Sequence, residues 1–313
     1  MSGPVSLGRR ALVEGLGTAA LVAVVVGAGI QATGLSSDGG VRLLAASLGT
    51  VFGLGVLIAL LGPVSGAHFN PAVTLAAWAT DRRGRRAPGP HHRSAPDGPT
   101  AREVAAYLGA QTVGAIAGAL LADAMFGAPL LRLSTHERSS GQLWLGELVA
   151  TAGLVWLVLG LVRTGRTHLA PPLVAAYIGA AYWFTSSTSF ANPAVTVGRA
   201  FTDTYAGIAP ASVPPFLLAQ LLGAAAGVGL TTLCFGCPGP DSVPVPVPDS
   251  VPGSVPGSDP YPVVDPVVDS DPERVPADGG ASRPSPAVPH PSRGPAHTSA
   301  AVPGPTEGNT SHR

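Results

Sequence analysis

Apolar residues run along this chain in long blocks separated by short polar breaks. Six blocks, roughly 11–30, 43–62, 103–126, 143–162, 169–187 and 214–235, each approach the ~20 residues that carry a helix across a ~30 Å hydrocarbon layer. The pattern predicts six membrane-spanning helices. All six are rich in Gly and Ala, with small-xxx-small spacing at Gly49/Gly53, Gly114/Gly118 and Gly223/Gly227. Such spacing lets helix backbones approach closely in lipid. In a chain with 41 Gly it also arises from composition alone. Arg9 and Arg10 precede a first block of full spanning length with no clear small-residue cleavage site, so it reads as a span, not a signal peptide.

Composition divides the chain. Charged residues make up 12% of it, about half the usual quarter, and all 18 basic residues are Arg. The net charge of +0 is a cancellation: residues 1–236 carry +5 and residues 237–313 carry −5. The second part also holds 19 of the 33 Pro, including Val243-Pro-Val-Pro-Val-Pro248. Pro at this density removes backbone donors and leaves little to form a core, so disorder with polyproline II stretches is expected there. The expected division is a membrane domain over 1–236 and a Pro-rich tail over 237–313, either a solvated extension or a partner-binding or gating segment. So balanced a charge excludes a basic nucleic-acid binder, the apolar blocks argue against a soluble enzyme, and two Cys exclude a disulfide framework.

Arg also orients the chain. With six spans both termini share a side, and that side carries Arg9, Arg10, Arg82, Arg83, Arg85, Arg86, Arg93, Arg102, Arg163 and Arg166. The other side has Arg42, Arg132, Arg138 and Arg199. The positive-inside rule places both termini in the cytoplasm, in a cell (inner) membrane. The Asn309-Thr310-Ser311 acceptor would then go unused.

The sequence copies itself in three places, in the same order. Glu14-x-x-x-Thr18-Ala19 returns as Glu147-x-x-x-Thr151-Ala152, Asn70-Pro71-Ala72-Val73-Thr74 as Asn192-Pro193-Ala194-Val195-Thr196, and Ala110-Gln111-x-x-Gly114-Ala115 as Ala219-Gln220-x-x-Gly223-Ala224. Each copy has three spans, so the second enters the membrane from the opposite face, an inverted repeat. Pro directly after an Asn cap is a helix start. Each Asn-Pro-Ala therefore begins a short helix, about 70–79 and 192–202, after chain that dips inward over Gly62–Phe69 and Ser186–Ala191. Non-helical backbone at that depth must be buried in protein or line a water-filled cavity.

Paired Asn-Pro-Ala boxes in an inverted six-span repeat resemble the aquaporin and aquaglyceroporin (major intrinsic protein) family. The resemblance covers about residues 9–236. The run Ser65-Gly-Ala-His-Phe-Asn-Pro-Ala-Val-Thr74 is close to the family's first signature, and the repeated Glu, Thr and Gln also match. It implies an all-α membrane fold of six spans plus two half-helices, a homotetramer in the lipid bilayer, no cofactor, and a passive channel for small neutral solutes such as water and glycerol-like polyols. Two helix N-termini facing each other make a positive midpoint that repels cations. The Asn70 and Asn192 amides can orient a passing oxygen, Pro71 and Pro193 fix the helix starts, and Ala72 and Ala194 let the two ends pack.

Glu14 and Glu147 are ionisable groups within spans, expensive enough to need a role. They either hold the dipping loops or transfer protons. His68 has no partners at metal-ligand spacing and is expected to face the pore or pack the loop.

The chain departs from the family at its outer filter. In most members an Arg follows the second Asn-Pro-Ala; here that position is Val195. Family offsets place the other filter residues at Thr50, Ala180 and Ser189. A set of Thr50, Ala180, Ser189 and Val195 has no aromatic, His or Arg, and is expected to be wide, so larger neutral solutes should pass and cation exclusion should fall on the helix ends. Ser189–Ile208 looks like a bacterial branch in which some relatives are associated with arsenic resistance, making arsenite, an uncharged trihydroxide, a plausible substrate. Arg199, one turn after Val195, either reaches the pore or pairs with Asp203 or loop backbone.

Cys234-Phe-Gly-Cys237 is a redox or thiophilic pair, or simply two Cys where a helix ends; no metal site is completed. Trp144, Trp156 and Trp183 are expected to anchor or pack spans. Two other classes remain open on sequence: an energised secondary transporter, for which Glu14, Asp123 and Glu147 are the only clear carboxylates within spans, and a membrane scaffold using the tail.

Overall fold

In the computed structural model every regular element among the described residues is helical. The structure describes residues 5–85 and 99–236, with the side chains of 82–85 excepted. The Pro-rich tail, Cys237, Arg86, Arg93 and Asn309 lie outside the described residues.

The order is α1 (Leu7–Leu35), α2 (Gly39–Ser65), α3 (Pro71–Arg85), α4 (Ala101–Met125), α5 (Gly141–Arg163), α6 (Ala170–Phe184), α7 (Pro193–Gly198) and α8 (Val213–Phe235). Side chains start the long helices where the sequence supplies them. Asp38 accepts from the Val41 N–H at 2.8 Å. Thr100 and Glu103 close a reciprocal capping box at 3.2 and 2.7 Å. Arg10 of α1 pairs with Glu103, tying the α1 and α4 ends on one side.

Among the described residues, five helices are long and apolar enough to cross a membrane. The expected fifth span, 169–187, is shorter: α6 has 15 residues, preceded by a 3-10 turn at Thr167–Leu169. At 1.5 Å per residue that is about 22 Å, so α6 alone does not fill the layer. Its end is given up to the second dipping loop, which begins at Thr185. In the first half, α2 runs through Pro63 to Ser65 and ends at left-handed Gly66 (φ 91°), so that dip begins four residues later than expected. The half-helices also differ from expectation: α3 continues to Arg85, while α7 stops at Gly198 and passes into a 3-10 turn at Arg199–Phe201.

The repeat is visible in the packing. α1 packs on α4 in the first half, and α5 on α8 in the second. The glycine spacings are contacts, not composition. A Cβ on Gly114 or Gly118 would lie 2.1 Å from the Gly15 or Ala19 carbonyl oxygen. A Cβ on Gly223 or Gly227 would lie 2.5 or 2.6 Å from the Leu148 or Ala152 carbonyl oxygen. A Cβ on Gly49 or Gly53 would lie 2.9 Å from Ala28 Cβ or Val24 Cγ1. α2 is apolar on both faces, as a span must be. Thr50, Leu54 and Ile58 point inward, while Phe52, Val56 and Leu60 are exposed on the outside. Trp144, Trp156 and Trp183 are partly exposed on span surfaces, and Trp183 Nε1 donates to Ser47 Oγ at 3.4 Å.

Candidate functional site

Two buried carboxylates hold the two dipping loops. Glu14 is fully buried and receives four donors: Ser65 Oγ (2.7 Å) and the His68 N–H (3.0 Å) on Oε1, and the Phe69 N–H (2.7 Å) and Gln111 Nε2 (2.8 Å) on Oε2. Glu147 repeats this with the Phe190 N–H (2.8 Å), the Ala191 N–H (2.9 Å) and Gln220 Nε2 (2.5 Å). Each Gln amide also reaches a half-helix Thr, Thr74 at 3.1 Å and Thr196 at 2.8 Å. These carboxylates are loop anchors: their described bonds go to donors of the fold.

The anchors support strained backbone. Ala67 and Phe69 have φ of 48° and 47°, and their counterparts Ser189 and Ala191 have 52° and 47°. Left-handed geometry at non-Gly residues costs about 1–3 kcal/mol each, so it persists only where the surroundings enforce it. The same two offsets before each Asn are strained, which makes this a feature of the repeat. Gly66–Phe69 and Ser189–Ala191 line a shared cavity with about 110 Å³ of room for the centres of water-sized molecules.

The two helix starts meet in this cavity. Asn70 Nδ2 donates to the Ala191 carbonyl at 2.8 Å, and Asn192 Nδ2 donates to the Phe69 carbonyl at 2.7 Å. Each Asn bonds the residue preceding the other, which sets α3 and α7 end to end. Each Oδ1 caps its own helix, Asn70 on the Ala72 N–H (2.9 Å) and Asn192 on the Ala194 and Val195 N–H groups (3.0 and 3.2 Å). An amide NH2 has two donors, so one N–H of each Asn remains for a molecule in the cavity. Ala72 and Ala194 are buried at the junction, and Pro71 and Pro193 open the two helices. His68 lines the cavity and its Nδ1 lies 3.1 Å from Thr74 Oγ1, so it both faces the cavity and packs the loop.

Thr50, Ser189 and Val195 also line the cavity; Ala180 does not. Ala180 is exposed on the outer face of α6. The inner face of that helix carries Val174, Ile178 and Tyr182, each one turn apart. Ala180 is two positions from either neighbour, about 200° around the helix, so Tyr182 corrects it. Tyr182 brings an aromatic ring and a hydroxyl 3.0 Å from Thr50 Oγ1. Its spacing from Val174 and Ile178 was a usable signal.

Arg199 lines the cavity as well. It does not pair with Asp203, which binds Arg132 at 3.1 Å and accepts from Thr135 at 2.8 and 2.9 Å. Instead Arg199 Nε donates to the Ala206 carbonyl, and its guanidinium stacks 3.4 Å over the Phe190 ring centre. Asp123 is buried and accepts from Thr202 at 2.7 Å, away from the cavity lining. Cys234 is a free, exposed thiol.

Six apolar helices, five of them of spanning length, and two half-helices joined head to head over a largely apolar cavity carrying a few polar groups define a membrane channel protein. Residues 2–86 match the major intrinsic protein family. The chain is 46% identical over 224 residues to aquaglyceroporin AqpS of Rhizobium meliloti, covering 72% of this chain and 89% of that one. It is 31% identical over 272 residues to the glycerol uptake facilitator protein of Pseudomonas aeruginosa, covering 72% and 88%. Among solved structures, the aquaglyceroporin from Plasmodium falciparum superposes with a TM-score of 0.52 at 20% identity, covering 73% of this chain and 95% of that one. The chain belongs to the major intrinsic protein family, and is a multi-pass membrane channel of that family's fold.

Proposed function

We propose that residues 1–236 conduct water and small neutral glycerol-like solutes passively, and that the outer constriction, with Val195 where most family members have Arg, is wide enough to admit arsenite as its neutral trihydroxide. The observation that carries the reading is the crossed pair of Asn70 and Asn192 bonds, which leaves one amide N–H on each side for a passing oxygen. A solute oxygen that accepts both loses its place in a chain of hydrogen-bonded waters, and the positive ends of α3 and α7 disfavour a cation there. Similarity to AqpS and to a glycerol uptake facilitator supports the solute class.

The cavity lining contains no Asp or Glu, and Glu14 and Glu147 are engaged by loop donors. That arrangement supports a channel over an ion-coupled transporter. The Arg distribution supports an inner-membrane orientation with cytoplasmic termini, and family membership supports a homotetramer. Residues 237–313 form a separate Pro-rich tail in this reading.

The test is stopped-flow light scattering of proteoliposomes with water, glycerol, urea and arsenite, comparing the parent with Val195→Arg. Fast, non-saturating, gradient-driven flux in the parent and a narrower solute range in the variant are expected. Identical solute selectivity in the two would refute the wide-filter reading.

A further inference from the structure

Arg199 is a buried cation at the cavity wall with no carboxylate in contact among the described residues. It is 5% exposed and lines the cavity. Of the acids nearest it, Asp203 is taken by Arg132 and Thr135, and Glu147, which acts on it through space, is taken by the Phe190 and Ala191 N–H groups and Gln220. Its Nε is spent on the Ala206 carbonyl, and its flat face on Phe190. Its two terminal nitrogens have no hydrogen-bond partner among the described residues. A second guanidinium, Arg138, stands 5.2 Å from the same ring and donates from Nε to the Gly207 carbonyl at 2.9 Å. Both cations are therefore held by carbonyls and one aromatic face, which fix position without cancelling charge.

A second unsatisfied group shares the wall. Ser189 is 4% exposed, lines the cavity, and its Oγ is buried without a partner. Thr50 and Tyr182 line the same cavity, with their hydroxyls bonded to each other at 3.0 Å. Buried polar groups are ordinarily bonded, so an unspent hydroxyl and an unspent guanidinium on the wall of one cavity mark a place where an oxygen-bearing guest completes the bonding.

We infer that Arg199 is the charged, specificity-determining residue of the outer constriction, set one helical turn beyond Val195 and held there by Phe190 and the Ala206 carbonyl. With Ser189 it forms a donor site for the oxygens of a small polyhydroxy solute, and its charge excludes cations. Moving the cation one turn along leaves Val195 apolar at the narrow ring. The constriction keeps its charge and widens, instead of exchanging one for the other. This inference rests on the channel reading above.

The probes are glycerol, and guanidinium as a small planar cation close in shape to urea. Full-length protein in liposomes is expected to pass glycerol and exclude guanidinium. Arg199→Gln and Arg199→Met, two neutral replacements of different shape, are expected to raise guanidinium flux relative to glycerol at least tenfold, while Arg199→Lys keeps it low. Adding Val195→Arg to Arg199→Gln should restore exclusion, which a merely structural role for Arg199 would not produce. A glycerol-conducting neutral variant that still rejects guanidinium overturns the inference, as does a parent that passes it. Parent vesicles no faster for glycerol than empty liposomes would defeat the channel reading itself.

Discussion

Replacing Glu14 with Gln tests the loop anchor in a way that separates it from a proton carrier. The substitution keeps the shape and removes one acceptor oxygen. Turned one way, its NH2 faces two N–H donors, Phe69 and Gln111 Nε2; turned the other way it faces the His68 N–H and the Ser65 hydroxyl, which can reverse and accept. Up to two bonds to a carboxylate are lost, each worth about 1.5–3 kcal/mol. Removing a buried charge returns part of its desolvation penalty, so about 3–6 kcal/mol is an upper bracket. That is comparable with the ~5–15 kcal/mol stability of a domain. It also exceeds the ~1–3 kcal/mol that holds each of Ala67 and Phe69 in left-handed geometry. The first loop should therefore relax, and the Asn192–Phe69 bond with it. Expected results are a melting temperature in detergent lower by at least about 6 °C and a glycerol permeability reduced at least tenfold in liposomes. A Glu14→Gln protein with parental melting temperature and permeability would refute the anchor. Parental glycerol flux with loss of a proton-dependent component would point to proton transfer instead.

Gly114→Ala places a methyl 2.1 Å from the Gly15 carbonyl oxygen and should destabilise the α1–α4 contact by about 1–3 kcal/mol, whereas Gly109→Ala, with open space around it, should be neutral or slightly stabilising; thermal unfolding of both in detergent checks this. Tyr182→Ala should broaden solute selectivity and Ala180→Leu should leave it unchanged, because only Tyr182 lines the cavity; polyols of increasing size in the liposome assay read the difference. The Thr135 backbone N–H and hydroxyl, then Arg132, hold the Asp203 carboxyl below its ordinary value of 3.8. A depressed folded value gives stability that is present above the unfolded pKa and lost as pH falls through the folded one. Hydrogen-exchange protection around residues 132–138 should thus be level from pH 7 to near 5 and decline below about 4, and Asp203→Asn should remove that dependence.

Much of the site was legible because the chain states it twice. Glu14/Glu147, Gln111/Gln220 and Asn70/Asn192 stand at matching places in two repeats, and the structure joins each set by the same bonds. The repeated Pro after Asn fixes two helix starts locally, whatever surrounds them. Apolar block length gives five of the spans, since crossing lipid is a requirement on length and composition. Where a residue acts by position along the chain, sequence was sufficient.

Direction around a helix and reach across a gap required the tertiary structure. Ala180 and Tyr182 are two residues apart yet point to opposite sides of α6, and counting back from Asn192 carries no rotational phase across the intervening loop. Arg199 had two partners within reach on sequence grounds, Asp203 and loop backbone. Which one it met depended on Arg132 and Thr135 claiming Asp203, and on Phe190 being offered as a face. The sequence by itself determined a twofold-repeated, lipid-spanning chain with paired half-helix starts, because those features are local in pattern and length. The tertiary structure decided which side chains share the cavity wall, because burial, charge pairing and helix phase arise only when distant segments compete for the same partners.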